Sequence, residues 1–211
     1  MPIDADERFY VYADGFYECL VMSGRAKNKA APAKRARTKR ISQISSAGSS
    51  ALVVGVGNPL RGDDAVGRII AGRVRRRKRP FLNVVECSGE AADLMELWRD
   101  AGTVIVVDAV YPGTSGPEAA VSRRSRRIHR FDATGKALPA CFHKLSTHAF
   151  GLHEAVELAR ALHQLPQRLI VFGVEGKRFD TGSPLSAGVR KIVPRVADLV
   201  VAEARRQLKI R

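Results

Sequence analysis

Gly55-Val56-Gly57-Asn58-Pro59-Leu60-Arg61-Gly62-Asp63-Asp64-Ala65-Val66-Gly67 is the stretch that decides how the chain reads. Ahead of it the apolar run Ala51 to Val54 has the pattern of a buried parallel strand. Behind it Val66, Ile69, Ile70 and Val74 recur at helical spacing. The glycines suggest a dinucleotide-binding turn, but that fingerprint needs a third glycine three residues after the second, where helix and strand pack closely. Leu60 stands there instead, and Pro59 removes an amide that would face a pyrophosphate. No Gly-Lys-Ser or Gly-Lys-Thr follows, so a phosphate loop is also a poor match. What the turn delivers is two adjacent carboxylates. An aspartate just before a helix caps free backbone amides, which suits Asp63; Asp64 stays open between a first-turn acid and a ligand.

Outward from this turn, strand-like apolar runs alternate with helical patterns, the signature of a parallel sheet covered by helices. Strands are expected over Leu52–Val56, Leu82–Glu86, Thr103–Val107 and Arg168–Val174, with one more, of uncertain direction, between Ala119 and Phe131. Helices are expected from about Asp64, over Ala91–Asp100, from near Thr147 or His148, and from Ser186 to about Leu208, where Pro194 is a point of kinking or splitting. The expected fold is three-layer α/β/α with a mostly parallel, about five-stranded sheet over residues 51–211.

Residues 1–50 differ in composition. Short apolar islands (Phe9–Tyr12, Cys19–Met22) precede a basic stretch from Arg25 to Arg40 and a Ser/Gly-rich run to Ser50, a mixture that reads as a basic, disordered extension. The whole chain of 211 residues is 45% hydrophobic and carries a net charge of +15. Three separated cysteines, Cys19, Cys87 and Cys141, suggest neither a disulfide framework nor a Cys-x-x-Cys metal site, and a cytoplasmic protein is expected. No apolar run approaches the ~20 residues of a membrane span.

In open α/β sheets ligands sit beyond the carboxyl ends of the strands, where strand order reverses. If the strands before Asp64 and Asp108 flank that point, both acids emerge at one edge, and His148, in the first turn of a helix returning from that edge, can face them. Two carboxylates and an imidazole with no cationic partner in the local motifs call for a bound cation; the donor mix suits zinc, nickel or a similar divalent ion. Asp108 alone reads equally as a strand-end residue and His148 as a helix-start residue. His143, His153 and His163 read as surface or helix-face residues, His129 as a solvated strand residue, and Glu86 as an exposed strand end.

Three separated motifs, Gly55-x-Gly57-Asn58-Pro59-Leu60-x-x-Asp63-Asp64-x-x-Gly67, Val106-Val107-Asp108-Ala109 and Ser146-Thr147-His148, together resemble the hydrogenase maturation endopeptidases. Phe172-Gly173-Val174-Glu175 is similar to that family's Gly-hydrophobic-Glu segment. The resemblance covers about Ala51 to Leu208 and implies that Asp64, Asp108 and His148 are the catalytic and metal-contacting residues. Some members carry Glu at the position of Asp64. It implies an aspartic-type endopeptidase that activates a hydrogenase by removing the C-terminal extension of the nickel-loaded large-subunit precursor. The substrate supplies the nickel, and zinc or cadmium are candidate occupants in isolation. A cytoplasmic monomer is implied, with no membrane partner. The residues agree in one respect: no serine-type triad or His-Glu-x-x-His is present.

Two other readings compete. The charge suits a nucleic-acid-binding module, with Arg73–Arg79 and Arg123–Arg130 as phosphate contacts, but aromatics are only 6% of the chain and none interleaves with these clusters, so stacking on bases lacks support. A non-catalytic assembly chaperone of the same fold is the other alternative.

Overall fold

The computed structural model describes residues 9–13, 16–20, 50–111, 128–138 and 151–210. The chain divides into two units, Met1–Arg37 and Thr38–Arg211. In the first, β1 (Phe9–Ala13) and β2 (Phe16–Leu20) pair antiparallel as a hairpin.

The second unit holds β3 (Ala51–Val56), α1 (Val66–Arg75), β4 (Leu82–Cys87), α2 (Ala91–Trp98), β5 (Thr103–Val110), β6 (Ile128–Asp132), α3 (Leu152–Ala161), β7 (Arg168–Glu175) and α4 (Ala187–Gln207). The five strands lie in the order β4-β3-β5-β7-β6. All neighbours run parallel except β6, which pairs antiparallel with β7 at one edge. The expected α/β class with a mostly parallel five-stranded sheet is therefore present. From β3 the chain moves to β4 on one side and then to β5 on the other, so strand order reverses between β3 and β5, as the motif reading required.

The central strands are valine-rich because both their faces are buried. Every residue of β3 is buried, and Val104, Ile105, Val106 and Val107 of β5 are inaccessible to solvent. Helix α1 turns Val66, Ile70 and Val74 inward, the spacing of one helix face. It packs against α4, while α2 packs against α3. Pro194 neither splits nor ends α4, which runs unbroken over 21 residues.

Two glycines set the entry to α1. Gly67 lies so close to the ends of β3 and β5 that a Cβ there would stand 2.2 Å from the Val107 carbonyl oxygen and 2.3 Å from that of Val56. Gly57 has φ +133°, and a Cβ on it would stand 1.8 Å from the Asp64 carbonyl oxygen. These contacts fold the turn back on itself and hold a short 3₁₀ segment, Gly62–Ala65, buried over the strand ends. The helix proper thus starts at Val66, two residues after the expected Asp64, because the two acids occupy this tighter turn.

Candidate active site

Asp63 and Asp64 leave the same turn with different fates. Asp63 is fully buried and does not cap its own helix, contrary to the sequence reading. Its Oδ2 accepts the backbone N–H groups of Lys177 (2.7 Å) and Arg178 (3.1 Å), and its Oδ1 accepts that of Ser186 (2.6 Å). Ser186 is the residue that opens α4. Burial opposes ionisation of Asp63, yet these hydrogen bonds outweigh it and hold the carboxyl below its ordinary range. Asp63 is a buckle between two loops. Its partners lie over a hundred residues away, which is why local sequence could not name them.

Asp64 is 6% exposed. Its Oδ2 accepts the Asn58 N–H at 3.0 Å and lies 3.8 Å from Arg61 Nη1. Burial raises its pKa against the opposing pull of the Asn58 hydrogen bond and the Arg61 charge. The expectation that no cation stands nearby therefore fails for Asp64: Arg61, three residues earlier, faces it. That guanidinium nitrogen is buried without a hydrogen-bond partner, so it acts at a distance as charge, not as a donor.

Asp108 emerges from β5 two residues before the strand ends. Its Oδ1 accepts the N–H of the next residue, Ala109, at 2.8 Å, and among the described residues it enters no ion pair. Burial, and then the Asp64 carboxylate beside it, push its pKa up to about 7. This repulsion is the physical sign that two acids 44 positions apart in sequence share one edge of the sheet. Two carboxylates so placed repel each other, and a proton or a cation relieves that repulsion.

His148 and His143 lie outside the described residues, as does the Arg123–Arg127 part of the second basic cluster. Within the described residues α3 starts at Leu152, with Gly151 as its N-cap. Among the described residues no group of three His, Cys, Asp or Glu side chains stands ready for a metal.

Three further side chains near the strand ends have definite surroundings. Cys87, at the end of β4, is buried; burial, opposed by a Gly89 backbone hydrogen bond and reinforced by the Asp108 charge, pushes its thiol up to about 12. Such a thiol is no nucleophile at neutral pH. Glu86 is not the exposed strand end that was expected: it accepts from Arg68 Nε at 3.3 Å and pairs with Arg75 at 2.8 Å, arginines two turns apart on α1. His129 is also not a solvated strand residue. Its Nε2 lies 2.8 Å from Glu175 Oε1. In the sheet register Asp108, Gly173 and His129 stand side by side across β5, β7 and β6, so their Cβ directions share one face. Sequence reading missed this pairing because the antiparallel placement of β6 is what creates it.

A family model described as hydrogenase maturation protease matches residues 127–203. The chain is 24% identical over 157 residues to the hydrogenase 2 maturation protease of Escherichia coli (strain K12), covering 73% of this chain and 90% of that protein. Among solved structures, the hydrogenase maturating endopeptidase HybD of Escherichia coli aligns with a TM-score of 0.59 at 22% identity, over 75% of this chain and 93% of its own. An Escherichia coli endopeptidase solved in solution aligns with a TM-score of 0.62 at 20% identity, with the same coverage. At these identities the structural likeness is one of fold. Among the described residues no helix is long and apolar enough to cross a membrane.

Proposed function

This chain is related to the hydrogenase maturation endopeptidases, and from that premise we propose that it is an endopeptidase that removes the C-terminal extension of a nickel-loaded hydrogenase large-subunit precursor. The observation that carries the proposal is the meeting of Asp64 and Asp108, residues from separate motifs, as mutually repelling carboxylates at the strand-order reversal. The repulsion is relieved by a proton or by a cation, and in this reading the precursor brings the cation.

Asp64 and Asp108, with His148 as the third donor, engage the nickel already held by the precursor. Their grip fixes the scissile peptide at the rim of the sheet, where the bound metal polarises its carbonyl or a water that attacks it. Asn58 keeps one Asp64 oxygen in place through its backbone N–H, and Ala109 does the same for Asp108. The buried, high-pKa Cys87 takes no part as a nucleophile. No resident cofactor is needed; zinc or cadmium is a stand-in when the protein is alone. The working form is a cytoplasmic monomer.

Mass spectrometry of a nickel-loaded precursor, before and after incubation with the protein, tests the proposal directly. Loss of the C-terminal extension is the expected result, with Asp64→Asn, Asp108→Asn and His148→Ala inactive. A precursor that stays full length removes the peptidase and leaves the assembly-chaperone alternative. Cleavage at the normal rate by these variants instead overturns the residue assignment.

A further inference from the structure

Leu60 is 67% exposed, four residues before the buried Asp64 carboxylate. A single exposed leucine ordinarily needs no explanation. This one is different in how firmly its backbone is held. Its N–H donates to Asn58 Oδ1 at 2.9 Å, and its carbonyl accepts the Gly182 N–H at 2.7 Å. Asn58 is in turn bonded through its own N–H to Asp64 Oδ2.

Gly182 belongs to the loop that follows β7, the same loop that Asp63 grips. The Asp63 N–H also donates to the Arg178 carbonyl at 2.7 Å. The turn before α1 and the loop 176–186 are therefore laced into one rigid platform, with Asp63 at its centre and Leu60 at its tip. Phe179 packs its ring against Tyr111, 4.8 Å between centroids, and closes the platform from below. Lys177 and Arg178 lend this platform only backbone groups; their side chains are exposed and enter no ion pair among the described residues.

We propose that this platform is the docking surface for the protein substrate, with Leu60 as its apolar anchor and Lys177 and Arg178 as its cationic rim. The occupant is a folded precursor that presents an apolar recess bordered by carboxylates next to its scissile segment. The physical reason is preorganisation. A loop already fixed by hydrogen bonds loses little entropy on binding, so an apolar side chain held out on it returns most of its burial as affinity. An apolar centre with a charged rim is also the usual anatomy of a protein interface. Because Leu60 is tied through Asn58 to Asp64, docking at the tip sets the height of the substrate over the carboxylates. The inference rests on the peptidase reading and names the surface that reading leaves unassigned.

The test is steady-state processing of the nickel-loaded precursor by the full chain, its Leu60→Ser variant and the Lys177→Glu/Arg178→Glu double variant, with melting temperatures recorded for all three. The loss is expected in KM, by about tenfold or more for Leu60→Ser. For the wild type KM should rise as salt goes from about 0.05 to about 0.5 M, and this dependence should flatten in the double variant. A wild type that cleaves the precursor, with KM unchanged in both variants, overturns the docking surface and leaves the peptidase intact. A wild type that does not cleave overturns the peptidase, and the docking surface with it. If Leu60→Ser melts early, the double variant decides: an unchanged KM and salt slope there overturns the inference. A Leu60→Ser change in oligomeric state by light scattering without a KM change makes the platform a self-association surface instead.

Discussion

Asp108 is the residue whose protonation state reports the site. The fold raises its carboxyl to about 7, first by burial and then by the neighbouring Asp64 charge, against an ordinary value of about 3.9. The neutral form is thus the one the fold prefers. Its relative stabilisation is fully present below about pH 4 and is lost as pH rises through about 7. Asp108→Asn, which stays neutral throughout, is accordingly expected to melt above the parent. The gap should widen between about pH 5 and about pH 8 by roughly 3 °C or more, measured by differential scanning fluorimetry. A gap that shrinks with pH contradicts the repulsion. Zinc added at about pH 8 offers the complementary measurement: it should raise the melting temperature of the parent, and less so that of Asp64→Asn or Asp108→Asn, since a ligand stabilises only the state that binds it. Asp64 and Asp108 were legible in the sequence because each follows a run of apolar strand residues, one across a glycine-rich turn and one directly, a local pattern that chain order displays. The Asp63 buckle and the His129–Glu175 pair were not, because both depend on register and loop contacts between residues far apart in sequence.

At the scale of elements, the strand-turn-helix unit around Gly55–Gly67 is held by a close approach and by one carboxylate. Gly67→Ala places a Cβ against two backbone carbonyls that cannot move without shifting β3 or β5, so the variant is expected to lose the folded state or most of its stability. Asp63→Ala tests the other constraint. It strands three part-buried backbone N–H groups, which costs about 2–5 kcal/mol in urea unfolding, given about 1–3 kcal/mol for each buried group left unsatisfied and partial rescue by water. An exposed acid would cost less than about 0.5 kcal/mol, and a result that small would refute the buckle. Periodicity located the parallel strands and four helices to within a few residues, since fully buried apolar runs and amphipathic faces are local signals. It did not settle β6, where Ile128, His129 and Phe131 are half-buried and the charged Arg130 and Asp132 are exposed. An edge strand shows weak alternation, and its direction is decided by the partner. Arg130 illustrates the point: it is anchored by two hydrogen bonds to Glu203 of α4, 73 residues away.

The described part of the second unit separates its charges by rim. Helix α1 begins against the carboxyl ends of β3 and β5 and runs ten residues, or about 15 Å, toward the opposite rim. Its last turn and the following segment carry Arg73, Arg75, Arg76, Arg77, Lys78 and Arg79, just ahead of β4. Two of these are engaged, Arg75 with Glu86 and Arg77 with Asp198. Arg73, Arg76 and Arg79 remain on the surface. The acidic pair and the basic end thus face away from each other, which separates the two properties that the sequence confounds: a net charge of +15 and a site built on carboxylates. If the basic end is only a diffuse electrostatic surface, duplex DNA binding in a gel shift should fall by orders of magnitude between about 0.05 and about 0.2 M salt. Replacing Arg73, Arg76 and Arg79 with Gln should weaken that low-salt binding while leaving precursor processing at the parental rate. Binding that survives physiological salt and depends on these arginines would assign the basic end a nucleic-acid partner in its own right. Loss of processing in the same variant would instead extend the substrate contact around the molecule, well beyond the Leu60 platform.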